Sequence, residues 1–393
     1  MKRLIRNAAK DFGLDWRIPR AYRNATDQPI DARKVLFVEA SQPAPPEAFK
    51  VLMPRLQEDP RFDVRFLCLG KHRTSAQQYL ANCESFAREA ATARAIFLCD
   101  ASDVVSCLPL RPGTDVVQLW HACGAFKRFG MSTAELGYGN SRKDLERHPF
   151  YGNLSLVTVS SPEVAWAYIE AMHLEDRPHV VEALGVSRTD LLFDDAFHVQ
   201  ALRHVYEHVP EALGKRIVLY APTCRGPMGS AYAPEPPSFE MLKQTLAPES
   251  ILLIKQHPAV KNAPGVPASC NDFAFDVSAA LPIDELLVAA DVLVTDYSSV
   301  VFEFSLFNRH MVFYAPDLDD YLAQRNFYYP FEEMIPGPLC FDSAQLAASL
   351  AQAGIDFDSS EIARFRQKFM GSCDGHATDR IINRVFAAEG GVL

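Results

Sequence analysis

At 393 residues the chain is longer than one core usually grows, so two domains are expected. Hydrophobic residues at 48% and charged residues at 22% argue against a disordered or fibrous chain, and nine scattered cysteines with no C-x-x-C pair suit a reducing, cytoplasmic compartment better than a disulfide framework. The formal charge of −10 argues against nucleic acid as a partner but hides an asymmetry: residues 1–25 hold seven cations against two acids, a net +5, which leaves −15 in the remainder.

In chain order, residues 1–30 come first as a basic amphipathic segment. Leu4, Ile5, Ala8, Ala9 and Phe12 recur at helical spacing opposite the cations, with Trp16 and Tyr22 beyond. This is the pattern of a helix lying on an anionic bilayer, and equally that of a terminal helix docked on its own protein. No apolar stretch reaches the length of a spanning helix and no signal-peptide core is present, so any membrane contact is expected to be peripheral, on the inner face of the cell membrane.

From Lys34 the runs "KVLFVEA", "DVRFLCL", "AIFLCD", "DVVQLWH" and "LSLVTVSS" alternate with helical patterns near residues 45–59, 75–92 and 162–173. Their apolarity is continuous rather than alternating, which predicts parallel strands covered on both faces. A second series follows with "RIVLYAPT", "SILLIKQHP", "FAFDV", "DVLVTDYSS" and "HMVFYAPD", separated by helical stretches such as residues 283–290 and 300–307. Strand and helix alternating twice over predict two doubly wound α/β domains, 31–195 and 196–393, the latter ending in helices from Ser343. A terminal helix packing back across the first domain would suit a two-lobed enzyme.

Ligands of open α/β sheets bind beyond the carboxyl ends of the strands, so the polar residues that end each run are the candidates. In the first series these are His121 after "VVQLW", Ser160 and Ser161, and then "GVSRTD" with Arg188 and Asp190. In the second they are Thr223 and Arg225, Lys255 and His257, and Asp296, Ser298 and Ser299 at the head of a helix that carries the lone acid Glu303. Two histidines, several cations and hydroxyls, and few carboxylates suit a phosphate-bearing ligand better than a glycosidase acid pair or a metal cage.

Near neutral pH an imidazole at His121 is a suitable general base for a hydroxyl nucleophile, and the small residues Ala122, Gly124 and Ala125 with Lys127 and Arg128 behind them would let an acceptor approach. A protonated His257 beside Lys255 and Arg225 would neutralise a leaving phosphate. Asp317–Asp320, "DLDD", reads as a helix start rather than a metal pair, and His204 and His208 as a solvated helix face. No motif calls for a cofactor or supports a metal site, although the diphosphate chemistry leaves room for a divalent ion. The P-loop, the dinucleotide fingerprint and the G-x-S-x-G elbow are absent from the sequence.

Taken together, "QLWHACGAFKRFG", "VTVSS", "GVSRTDLLFD", "YAPTCRG", "IKQHP", "ADVLVTDYSSVVFEFSLFNRHMVFYAPDLDDY" and "PGPL" resemble the CDP-glycerol glycerophosphotransferase family, which makes teichoic acids and related capsule polymers. The resemblance implies a GT-B fold, two Rossmann-like domains facing a cleft, with CDP-alcohol donor on the second and acceptor on the first. It implies attack of an acceptor hydroxyl on the donor β-phosphate with release of CMP.

Position by position, His121 matches the W-H-x motif and its proposed general base, and His257 the R/K-x-H-P motif near the donor diphosphate. Thr223 and Arg225 match Y-A-P-T-x-R, Asp296, Ser298 and Ser299 match T-D-Y-S-S, and Arg188 and Asp190 match G-x-P-R-x-D. Lys255 and Glu303 complete the expected donor set, and Gly124, Lys127 and Arg128 the expected acceptor set.

The chain departs from the common W-H-G-T-P-L-K form with "WHACGAFK" and has Ser187 where a proline is usual, which leaves acceptor and donor alcohol open. A CDP-ribitol-using enzyme, a nucleotide-sugar glycosyltransferase of the same fold and a non-catalytic capsule-assembly subunit are the alternatives. An anionic membrane surface met by residues 1–25 and a lipid-linked acceptor are the expected partners.

Overall fold

Continuous runs of β-branched and aromatic residues bury both faces only inside a parallel sheet covered by helices, and that is how they fold. The computed structural model describes residues 10–134, 136, 141–353 and 358–387. Two units form: Met1–Ala122 with Arg128–Asp190 and Ser372–Leu393, and Cys123–Lys127 with Leu191–Gly371.

The first unit is a six-stranded parallel sheet of β1 (Asp31–Glu39), β2 (Asp63–Cys68), β3 (Ala93–Leu98), β4 (Asp115–Gln118), β5 (Leu156–Thr158) and β6 (Val181–Glu182), in the order β2-β1-β3-β4-β5-β6. The chain winds one way from β1 to β2, then crosses to β3 and winds the other way, so the order reverses between β1 and β3.

The second unit repeats the design with β7 (Arg216–Tyr220), β8 (Ser250–Ile254), β9 (Ala274–Asp276), β10 (Val292–Thr295), β11 (His310–Tyr314) and β12 (Leu339–Cys340), ordered β12-β11-β10-β7-β8-β9. Its reversal lies between β7 and β10, which pair in register from Val292 with Val218 to Val294 with Tyr220.

These units are not the contiguous halves 31–195 and 196–393. Cys123–Lys127 already belong to the second unit, the main crossing falls after Asp190, and the chain returns to the first unit at Ser372. The reason is local. The Asp190 carboxylate accepts from the free amides of Ala377 (3.1 Å) and Thr378 (2.7 Å), the orphan donors at the start of the helix Ala377–Phe386. Ser187 Oγ meets Thr378 Oγ1 at 2.8 Å, which gives the serine in place of proline a bond to make.

The same helix lays Ile381 and Val385 into the core around Val35, Phe37 and Phe97. Each such side chain contributes about 1.5–3 kcal/mol on burial.

Of the N-terminal segment, Leu4, Ile5, Ala8 and Ala9 lie outside the described residues. Within them, the helix Ile18–Arg23 packs against Ala76–Ala90, burying Ile18, Ala21 and Tyr22, and the Tyr22 hydroxyl accepts from the Arg111 amide at 3.2 Å. Among the described residues no helix is long and apolar enough to cross a membrane.

Candidate functional site

In the first unit His121 stands just past β4. Trp120 before it takes a left-handed φ of +59°, an uncommon conformation for a bulky residue, and its indole stacks on the His121 ring at 4.4 Å and on Phe129 at 4.7 Å. The turn therefore delivers the imidazole to the exposed end of the sheet with its plane fixed.

His121 Nδ1 lies 3.1 Å from the carbonyl oxygen of Cys99, which follows β3. A carbonyl can only accept, so Nδ1 carries the proton and Nε2 presents its lone pair. Nearby, Glu39 at the end of β1 accepts from the amides of Ser41 (2.9 Å) and Gln42 (3.2 Å) and from the Cys99 thiol (3.4 Å). Burial, followed by the Glu39 charge, pushes that thiol up, so Cys99 is an inert anchor for the loop whose carbonyl orients His121.

In the second unit the expected donor residues gather at the ends of β7, β8 and β10, with Asp296 as the hub. Its Oδ1 accepts from the amides of Thr223 (2.8 Å) and Tyr297 (2.6 Å), and its Oδ2 from Arg225 Nη2 (2.9 Å). Asp296 thus ties the two strands at the sheet's reversal and does not cap the following helix, as its place in "TDYSS" suggested; the Ser298 hydroxyl accepts from the Val300 amide there (3.4 Å). Ser299 is half-buried at the head of the helix Val300–Ser305, in which Glu303 is buried.

Arg225 is not a free cation for a phosphate. Besides Asp296 it is held by both carboxylate oxygens of Asp317 (2.7 and 3.0 Å) and by the Thr223 carbonyl (2.6 Å), and it lies over the rings of Tyr297 (4.9 Å) and Tyr321 (5.0 Å). Burial works against its charge, and the hydrogen bonds and charges of the two carboxylates more than offset it.

Asp317 does stand at the start of a helix, Leu318–Gln324, as "DLDD" suggests, but its carboxylate is bound to Arg225 and does not cap that helix. Its position right after β11 in "FYAPD", where strand-end side chains converge, is the signal that could have found it.

Lys255 is likewise committed, its ammonium donating to the carbonyls of Ser278 (2.7 Å) and Leu281 (2.6 Å). The cation that acts on His257 is instead Lys127. Burial first and the Lys127 charge second lower the His257 pKa below its ordinary value, so the ring is neutral at pH 7 rather than protonated. The Ala259 amide donates to His257 Nδ1 at 3.1 Å, which places the proton of the neutral ring on Nε2.

Gly124 and Lys127, expected on the acceptor side, belong to the second unit. Gly124 has φ +63° and lies flush against the Phe302 ring, leaving no room for a Cβ. The tight approach accounts for the glycine of "ACGAF" as packing. Arg128 stays with the first unit, 3.4 Å from Glu170 Oε1. Asp190 is the helix cap described above, and Arg188 is half-buried in the same segment. His204, read as a solvated face, bonds Glu285 at 2.6 Å.

Two doubly wound parallel units with polar residues gathered at the strand ends define a fold of GT-B type. The solved structure of the wall teichoic acid polymerase TagF shares it, with a TM-score of 0.73 over 98% of this chain and 97% of that one at 19% identity. A family model described as CDP-glycerol:poly(glycerophosphate) glycerophosphotransferase matches residues 20–387, and the chain belongs to that family.

Among its relatives, a teichoic acid poly(ribitol-phosphate) polymerase of Bacillus spizizenii is 35% identical over 91% of this chain, which spans 56% of that protein. A teichoic acid ribitol-phosphate primase of the same organism is 31% identical over 90% of both chains.

Proposed function

We propose that the chain moves glycerol phosphate from CDP-glycerol to a hydroxyl of a glycerol-phosphate or glycan acceptor and releases CMP, in the assembly of a teichoic-acid-like or capsule polymer. Membership of the family supports the donor and the reaction class. The observation that carries the reading is His121, whose Nδ1 is held by the Cys99 carbonyl and whose Nε2 is left as a base.

In the step, His121 Nε2 takes the proton of the acceptor hydroxyl as its oxygen attacks the β-phosphorus of the donor. The bond from that phosphorus to the oxygen bridging the two phosphates breaks, and its electron pair leaves with CMP. A new phosphodiester remains, and the imidazolium returns its proton to solvent. His257 donates its Nε2 hydrogen to a diphosphate oxygen, and Thr223, Ser298 and Ser299 supply hydroxyls on the same side.

Purified protein given CDP-glycerol and a glycerol-phosphate-terminated acceptor is expected to release CMP. No release with CDP-glycerol, CDP-ribitol or a related donor overturns the proposal. A second reading, ribitol phosphate from CDP-ribitol, is favoured by the likeness to the ribitol-phosphate polymerase and primase above. A higher kcat/KM for CDP-ribitol in the same assay would select it.

For an acceptor carried on a lipid, the N-terminal segment supports work at the cytoplasmic face of an anionic membrane. Phe12 and Trp16 are 54% and 47% exposed, their rings stacked at 5.2 Å, with the Arg20 guanidinium 4.8 Å over the indole. Removing residues 1–25 would also strip Ile18 and Tyr22 from the core, so the cleaner change is Phe12→Ser with Trp16→Ser. Each ring is worth about 2 kcal/mol on burial, and the pair is expected to lower binding to anionic liposomes by tenfold or more while sparing CMP release on a soluble acceptor. Unchanged liposome binding would remove the membrane role.

A further inference from the structure

The second unit has an uncommitted cation where the sequence placed committed ones. Residues Cys123–Lys127 are locked onto it by the close approach of Gly124 to Phe302, by the Tyr328 amide donating to the Phe126 carbonyl (3.0 Å), and by the antiparallel bridge of Lys127 with Phe327. Phe126 packs edge-on against Phe302, Phe327 and Phe331. The segment is therefore a fixed part of this unit, and the side chain of Lys127 is delivered among residues that end its strands.

The charged and titratable groups that act on Lys127 are Asp296, Cys224, Arg325 and Arg225, and Lys127 in turn acts on His257. Burial lowers its pKa to about 8, the Asp296 and Cys224 charges oppose that, and Arg325 and Arg225 add to it. Among the described residues no hydrogen bond or ion pair engages its ammonium, whereas Arg225 is held by two carboxylates and Lys255 by two carbonyls.

After β7 the buried Thr223 Oγ1 is also without a hydrogen-bond partner among the described residues. A half-buried ammonium that no hydrogen bond or ion pair engages among the described residues, in the same unit as an orphaned hydroxyl, is a site that lacks its anion.

We propose that Lys127 is the residue that binds the diphosphate of a cytidine nucleotide, in the place expected of Lys255 and Arg225. The proposal rests on the donor reading above and narrows it: the small-residue stretch that ends in Lys127 serves the donor rather than the acceptor. The diphosphate supplies the countercharge that burial denies the ammonium, and His257 Nε2 and the Thr223 hydroxyl complete the donors around it. As bond breaking moves charge onto the CMP phosphate, the same ammonium receives it.

The test is binding of CDP and of cytidine to the full-length chain by calorimetry, in wild type, Lys127→Met and Lys127→Arg. Lys127→Met is expected to weaken CDP by about 10- to 100-fold and to leave cytidine unchanged, because only the phosphates meet the ammonium. Lys127→Arg keeps the charge and is expected to restore most of the CDP affinity.

Wild-type affinity for CDP should also fall as pH rises from 7 to 9.5, since the binding form is the protonated amine, while Lys127→Arg stays flat over that range. Equal loss of CDP and cytidine in Lys127→Met, or a flat wild-type profile, overturns the proposal. Wild-type binding of CDP with an unaffected Lys127→Met overturns it while leaving the donor reading intact, and failure of wild type to bind CDP at all overturns both. If Lys127→Met does not fold, the pH profiles of wild type and Lys127→Arg still decide.

Discussion

Replacing His121 with alanine should lower the rate of CMP release by about 10²- to 10⁴-fold, the contribution of a positioned general base, while CDP affinity stays within about twofold. The expectation follows from two contacts. The Cys99 carbonyl fixes which nitrogen is basic, and the Trp120 stack fixes where it points, so the lone pair is held ready before any acceptor arrives. The donor-side groups Thr223, His257 and Asp296 belong to a different unit from His121, which is why donor binding should survive its removal.

A variant in which CDP affinity falls in step with turnover would assign His121 to packing.

The fold was legible because burial on both faces of a parallel sheet leaves a mark that needs no knowledge of neighbours. "RIVLY", "SILLI" and "VLVT" each say strand by themselves, and each proved to be one. The ends of strands were legible for the same reason: His121, Thr223, His257 and Asp296 all stand where an apolar run stops. What could not be read was which of those ends touch.

Asp296 binds the Thr223 amide across 73 residues because β10 pairs with β7, and strand order is a property of the whole sheet. Lys255 and Arg225 carry the right charge for a phosphate in any list of residues. Only placement shows that the first is tied to carbonyls and the second to carboxylates, and that Lys127, from a segment far from both in sequence, remains open among the described residues. Asp190 was misread in the same way. A carboxylate in a basic motif suggests ligand chemistry, yet the free amides of a helix 187 residues later claim it.

Removing Arg225 should be the most destabilising single change at this site. Arg225→Met is expected to cost the second unit about 3–5 kcal/mol, read from the midpoint of its denaturant unfolding, because it leaves the Asp296 carboxylate in a nearly dry position without the guanidinium that pairs with it. The side chains of Arg225 and Asp296 are 9% and 2% exposed, so water cannot take over the lost contact.

Arg225→Lys should recover little, since an ammonium cannot reach Asp296 and both oxygens of Asp317 while filling the space between the Tyr297 and Tyr321 rings. Asp317→Asn should cost less, its side chain being 34% exposed.

The pH dependence gives an independent check. Burial raises the Asp317 carboxyl, and the hydrogen bond and charge of Arg225 outweigh this and bring it below its ordinary value. A carboxyl lowered on folding adds stability that is fully present above its unfolded value and is lost as pH falls through the folded one. The difference between wild type and Arg225→Met should therefore hold from neutral pH down to about 4 and shrink below that, as the Asp317 carboxylate takes up its proton. A gap that stays constant into the acid range would mean that the cost comes from lost packing between the two tyrosines rather than from buried charge.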